Sequence, residues 1–173
     1  MKRLYYLLSL SVVMLAAPAC RTAKTTAPAS SAAGAPNTDA NPRITGSINA
    51  PQSYYDNARR TVEPFFVAGV SEDATYGVTQ KNPVCVGGKT DSGARNQQRY
   101  LNALRGPQGE EISYRRRGSC CAFETPNGII GGMGMLDVYE LTWAGAAKPL
   151  LLYLNFYDEG PLRAPAGLTV VKP

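Results

Sequence analysis

Apolar and polar positions divide the chain into three stretches. Leu4 to Leu15 is almost unbroken apolar, Arg21 to about Pro42 holds almost no large apolar side chain, and from Ile44 onward apolar residues return in short periodic blocks. Within the third stretch Ser53 to Thr61 (SYYDNARRT) predicts a short helix capped by Ser53 and ended before Pro64. Tyr76 to Thr79 and Val84 to Val86 predict two short strands around the turn-forming Lys81-Asn82-Pro83, with Gly87-Gly88 closing the pair. The clearest helix is Ala94 to Arg105. Asp91 or Ser92 can cap its start, Tyr100, Leu101 and Leu104 form an apolar stripe, and Gly106-Pro107 stops it. Its other face carries Arg95, Gln97, Gln98, Arg99 and Asn102, which are expected to look into solvent.

Ile112 to Arg117 alternates from apolar residues into three arginines, Met135 to Trp143 mixes apolar and polar positions, and Leu150 to Phe156 is nearly all apolar. These read as strands. Only Ala144 to Pro149 separates the last two, so LDVYELTW and LLLYLNFY are expected to pair as an antiparallel hairpin. Because Leu150 to Leu154 is apolar throughout, it belongs in the middle of a sheet with both faces covered. The predicted class is α+β: a small antiparallel sheet with one main helix packed on a face, following a disordered N-terminal tether. The stretch 44–173, about 130 residues without an internal repeat, has the size of one domain.

The first stretch reads as an export signal over residues 1–19. Lys2 and Arg3 supply the positive start, and the apolar run of about twelve residues is too short for a membrane span, which needs roughly 20. Ala17-Pro18-Ala19-Cys20 admits two readings. Ala17-x-Ala19 suits ordinary signal cleavage, whereas a cysteine just after the cut resembles the lipobox of bacterial lipoproteins. The second is preferred, with Cys20 as the lipidation site (palmitate among its acyl chains), since several chains on one terminus hold a protein firmly to a bilayer. Residues 20–43 then form a disordered linker, being too poor in apolar surface to offset the entropy of ordering. Arg21 after the cysteine gives no Asp-type inner-membrane retention signal, so the outer membrane, facing periplasm or surface, is the expected location.

Charge and cysteines narrow the chemistry. Without Lys2 and Arg3 sixteen basic residues face thirteen acidic ones, too mild an excess for dedicated nucleic-acid binding. The chain has no histidine, and neither a metal site nor a cofactor is expected. Three cysteines remain beyond Cys20, in an oxidising compartment. A disulfide from Cys85 to Cys120 or Cys121, a bond between the two neighbours, and three buried thiols all stay open. The sharper alternative makes Cys121 or Cys120 a nucleophile, its thiolate favoured by Arg115, Arg116 and Arg117, with Glu124, Asp137 or Glu140 as base. The arginine triplet, Trp143 and Tyr139 are binding candidates, and Tyr54, Tyr55, Tyr153 and Tyr157 add aromatic surface for stacking on a glycan or peptide. The run Gly128 to Gly134 lacks the ending of a phosphate-binding loop and leads into a strand, so it is read as a glycine-rich bend or flap.

The blocks YGVTQKNPVCVGG, NQQRYLNALRGPQGE, YRRRGSCCAFETPNGIIGGMGMLDVYELTW and PLLLYLNFYDEG, spanning about residues 75–170, resemble a family of small uncharacterised lipoproteins from Bacteroidetes. That resemblance implies a lipidated N-terminus and a turn at Gly-Ser-Cys-Cys-x-Phe. Some members carry the name 2-dehydro-3-deoxyphosphooctonate aldolase, which the residues do not support: such an enzyme resembles a barrel of roughly 250 residues with eight-fold strand and helix alternation. The expected function is a binding or structural accessory module at the outer membrane, with the membrane as partner through its lipid and an envelope protein or glycan as ligand. The alternative is an envelope enzyme with a cysteine nucleophile.

Overall fold

The computed structural model describes residues 41–45, 50–88 and 93–172. The export signal, Cys20, most of the linker, and the caps expected at Asp91 or Ser92 lie outside the described residues. The fold is α+β. The chain enters helix α1 (Gln52–Thr61) directly after Pro51, so Ser53 sits inside the first turn and caps nothing. Tyr55 and Ala58, three apart on one face, are its buried residues.

Helix α2 (Ala94–Ala103) ends earlier than its periodicity predicts. Leu104 and Arg105 leave it as a short strand, β2, to pair with β6 (Thr169–Val170), so a long-range pairing overrides local helix preference. Its polar face is also not where amphipathicity puts it: Asn96, Gln97, Gln98 and Asn102 are buried. Asn102 Nδ2 donates to the carbonyls of Ala58 and Val62 at 3.0 and 2.6 Å, and its Oδ1 accepts from Tyr114 Oη at 2.8 Å. Those bonds tie the end of α1 to the sheet. Neutral amides tolerate this burial because each polar atom can find a partner without a charge being desolvated. Arg95 is exposed, and the half-buried Arg99 lays its guanidinium 4.1 Å from the Phe65 ring centroid.

The main sheet contains β1 (Val84–Cys85), β3 (Ser113–Glu124), β4 (Met133–Thr142) and β5 (Leu150–Asn155) in the order β1-β5-β4-β3. The hairpin expected from LDVYELTW and LLLYLNFY is present, with Asp137 opposite Leu154 and Leu141 opposite Leu150. The sheet is nevertheless mixed, because β1 runs parallel to β5. Tyr76 to Thr79 is not a strand. Asp73 Oδ1 accepts from the Thr75 amide and hydroxyl, and Asn82 Nδ2 donates to Asp73 Oδ2, which winds this segment into successive turns and leaves β1 without the predicted hairpin mate.

Each sheet face has its own core. On the helix face Tyr139, Leu141, Leu152 and Leu154 pack with Tyr55, Tyr100, Leu101 and Tyr114. On the opposite face Leu136, Val138 and Tyr153 pack with Cys120 and Phe123. Among the described residues no helix is long and apolar enough to cross a membrane.

Candidate functional site

The site is made by two irregularities in β3. Side chains alternate between faces along a regular strand, so residues three apart look opposite ways. The register of β3 against β4 slips between Arg116 and Gly118 and again between Cys120 and Ala122. Each bulge inserts one unpaired residue and reverses the alternation. Arg116, Ser119 and Ala122 consequently line one cleft, despite their odd spacing. Plain strand alternation divides the arginine triplet. Arg115 and Arg117 turn to the other face, where both pair with Glu140 at 2.8 and 2.6 Å, while Arg116 alone turns inward. Burial works to raise the Glu140 carboxyl, but hydrogen bonds from Arg117 and Arg115 outweigh it and hold it below its ordinary value.

The floor of the cleft is a closed polar network. Arg116 Nη2 donates to Asp137 Oδ1 and to Ser119 Oγ, each at 2.6 Å, and Ser119 Oγ donates to the same carboxylate oxygen at 2.8 Å. Gln97 Nε2 donates to Asp137 Oδ2 at 2.7 Å, and Tyr139 Oη donates to Gln97 Oε1 at 2.8 Å. Burial, reinforced by the Asp137 charge, pushes the Tyr139 hydroxyl well above its ordinary range, so it remains a donor. The Asp137 side chain is 7% exposed and that of Arg116 22%, which makes this pair largely desolvated. Above the floor the walls are apolar: Tyr54, Ile129, Ile130, Met133, Met135 and Phe156 enclose a cavity of about 820 Å³.

The glycine run forms the lip. Gly131 and Gly132 both have positive φ, 58° and 74°, which lets the chain reverse tightly between Ile130 and Met133, whose amide donates to the Ile130 carbonyl at 3.0 Å. Ile129 and Ile130 stand exposed at the turn. The base of this lip is fixed by Asp158, which accepts from Thr125 Oγ1 at 2.6 Å, Asn155 Nδ2 at 2.8 Å and Asn127 Nδ2 at 2.9 Å. Partial burial raises the Asp158 carboxyl, but those three hydrogen bonds outweigh it, so the folded value lies below the ordinary one. A lowered folded value gives stability that is present above the unfolded value, about 3.9, and is lost as the pH falls through the folded one. The Asp158→Asn variant is therefore expected to lose less melting temperature than the parent chain when acidified below about pH 4. Parallel acid limbs in the two proteins would refute the assignment.

Of the arrangements left open for Cys120 and Cys121, the structure takes the bond between neighbours. Cys120 bonds to its neighbour Cys121, and Cys85, buried in β1, joins neither. The expectation of a bond to Cys85 assumed an extended chain through both residues. Instead Cys121 is the unpaired residue of the second bulge, with φ 58°, the only positive φ at a non-glycine residue among the described ones. This left-handed turn, which costs roughly 1–2 kcal/mol outside glycine, brings adjacent side chains to the same side. With both sulfurs engaged neither carries the proposed nucleophilic thiolate. Glu124 lies exposed at the end of β3, and Asp137 is committed to Arg116, Ser119 and Gln97. The Gly-Ser-Cys-Cys-x-Phe block, expected as a turn, runs inside β3.

Of the binding candidates, Arg116 and Tyr139 meet in the cleft, whereas Arg115 and Arg117 are on the opposite face and Trp143 packs against the Gly106 turn. Tyr54 and Tyr157 line the cleft, while Tyr153 is buried in the opposite core. Cys20 lies outside the described residues. Gln97, Gln98 and Ser119 were not singled out by sequence. Gln97 and Gln98 have one signal, that Arg95 and Arg99, four apart, already mark the outer stripe of α2 and leave the amides to face inward, while Ser119 has none. Among the described residues no three His, Cys, Asp or Glu side chains gather to hold a metal ion. No family model, curated protein or solved structure matches this chain, and the geometry of the cleft stands as the guide to its function.

Proposed function

We propose that the protein is an envelope lipoprotein, anchored at the outer membrane through Cys20, whose folded part is a binding module for a small amphipathic molecule. The observation that carries this reading is an apolar cleft of about 820 Å³ over a floor of buried, mutually hydrogen-bonded polar groups. Ligand sites commonly have this volume and this division of labour, apolar walls for affinity and a few fixed polar groups for orientation. The exposed Ile129 and Ile130 add to it, since a bound apolar body would cover them. A flat aromatic platform for glycans is less well supported, because Tyr139 and Tyr153 are buried and Trp143 lies away from the cleft. The cysteine enzyme reading loses its nucleophile to the Cys120–Cys121 bond.

The test uses the exported chain carrying Cys20→Ser and the neutral fluorophore N-phenyl-1-naphthylamine. Saturable binding of one molecule per chain is expected. It should weaken about tenfold or more in Ile129→Asp/Ile130→Asp, a change at exposed positions that removes the apolar contact of two side chains. Binding that never saturates, or that ignores this variant, would remove the cleft as the site.

A further inference from the structure

We infer that the polar end of the ligand is a carboxylate, carried on an alkyl or similarly apolar body; this rests on the binding function proposed above. The inference comes from which hydrogen-bonding capacity the cleft floor has already spent. Asp137 Oδ1 accepts from Arg116 and Ser119, and Asp137 Oδ2 accepts from Gln97. Gln97 Oε1 accepts from Tyr139, and Ser119 Oγ accepts from Arg116. Each of these acceptors thus already holds at least one of the floor's own donors.

What remains is donating capacity. Every protein hydrogen bond of Arg116 leaves from Nη2, so Nε and Nη1 make none among the described residues. Gln97 Nε2 has a second hydrogen beyond the one given to Asp137. The charged donor that the floor leaves unsaturated is the Arg116 guanidinium, which welcomes an acceptor-only group, whereas an ammonium would have to compete with Arg116, Ser119 and Gln97 for Asp137. The guanidinium fork matches a carboxylate in shape as well as charge.

Arg116 and Asp137 are the charged groups of the cleft lining, and three of the five Arg116 N–H hydrogens make no bond among the described residues. Arg116 itself stays charged: burial works against its positive form, but the hydrogen bond and charge of Asp137 more than restore it. Beyond the floor the lining is Tyr54, Ile129, Ile130, Met133, Met135 and Phe156, which suits a chain without further polar groups.

The experiment displaces the neutral fluorophore from the same Cys20→Ser chain with dodecanoate, dodecanol and dodecyltrimethylammonium, all below their micellar concentrations. The three share one chain and differ at the head. Dodecanoate is expected to bind at least about tenfold more tightly than either of the others, the factor of a charge-assisted hydrogen bond. Arg116→Gln should bring dodecanoate down to dodecanol, the two being compared by displacement in that same variant. Should that variant fail to fold, Arg116→Met/Asp137→Leu removes both charges together, avoids a stranded ion, and should show the same loss. In Arg115→Gln/Arg117→Gln the preference should survive, which separates a cleft site from general attraction to a basic surface. Equal affinities for the three heads, a preference for the ammonium, or a carboxylate preference that persists without Arg116 would overturn the inference. Failure of the fluorophore itself to bind would instead overturn the binding function.

Discussion

Replacing Asp137 by alanine is expected to cost about 3–5 kcal/mol of folding stability, the range seen when one partner of a buried ion pair is removed. The substitution deletes a small side chain, so lost packing is a minor part of this. What matters is that Arg116 becomes a desolvated cation with no counter-ion, while Gln97 Nε2 and Ser119 Oγ lose their acceptor at the same moment. In urea the unfolding midpoint should fall with little change of slope, because the surface exposed on unfolding is nearly the same. Glu140→Ala supplies the contrast within the same arginine triplet. Arg115 and Arg117 are largely exposed, 58% and 45%, and water solvates them when Glu140 is gone. That change should cost at most about 1 kcal/mol. Equal and small effects from the two substitutions would mean that water reaches the cleft floor freely, and the polar network would then lose its orienting role.

The contrast between these two carboxylates also shows where sequence reading ran out. Leu136 to Thr142 and Leu150 to Asn155 announced their pairing through composition and a short connection, and that hairpin needed no long-range information. Helices α1 and α2 were legible for the same local reason. The division of the arginine triplet follows from plain alternation, which sends Arg115 and Arg117 one way and Arg116 the other; what alternation misses is the neighbour of Arg116, since a regular strand would put Gly118 beside it. The bulge at Arg117 puts Ser119 there instead, and nothing in the alternation of YRRRGSCCAFE signals where the register slips. The second slip misled the reading of the cysteines, since a straight strand holds neighbouring sulfurs apart. The inner amides of α2 were missed because amphipathicity weighs Gln and Asn as surface residues, although an amide is the polar group most easily satisfied inside. Tyr76 to Thr79 failed for another reason: apolar content resembled a strand, while the side chains of Asp73, Thr75 and Asn82 held the backbone in turns.

Gly87→Ala is expected to destabilise the protein by about 3 kcal/mol, at the upper end of what overpacking a well-filled site costs, and to weaken cleft binding although Gly87 lies outside the cleft. A methyl group on Gly87 would stand 2.6 Å from the Tyr157 carbonyl carbon and 2.7 Å from the Asp158 nitrogen. Both are main-chain atoms, so no side-chain rotation relieves the contact. The two segments are also held together, since the Gly87 amide donates to the Asp158 carbonyl at 2.8 Å and the Val86 amide to the Asn155 carbonyl at 2.8 Å. The turn over residues 155–158 must therefore move. It carries Phe156 and Tyr157 of the cleft wall, and Asn155 and Asp158, which with Thr125 and Asn127 secure the base of the glycine lip. Displacing it by even a few tenths of an ångström disturbs wall and lip together. Denaturant unfolding would read the loss of stability, and titration of the fluorophore at a temperature where the variant remains folded would read the loss of binding. A folded Gly87→Ala chain that binds like the parent would show that the 155–158 turn does not set the shape of the cleft.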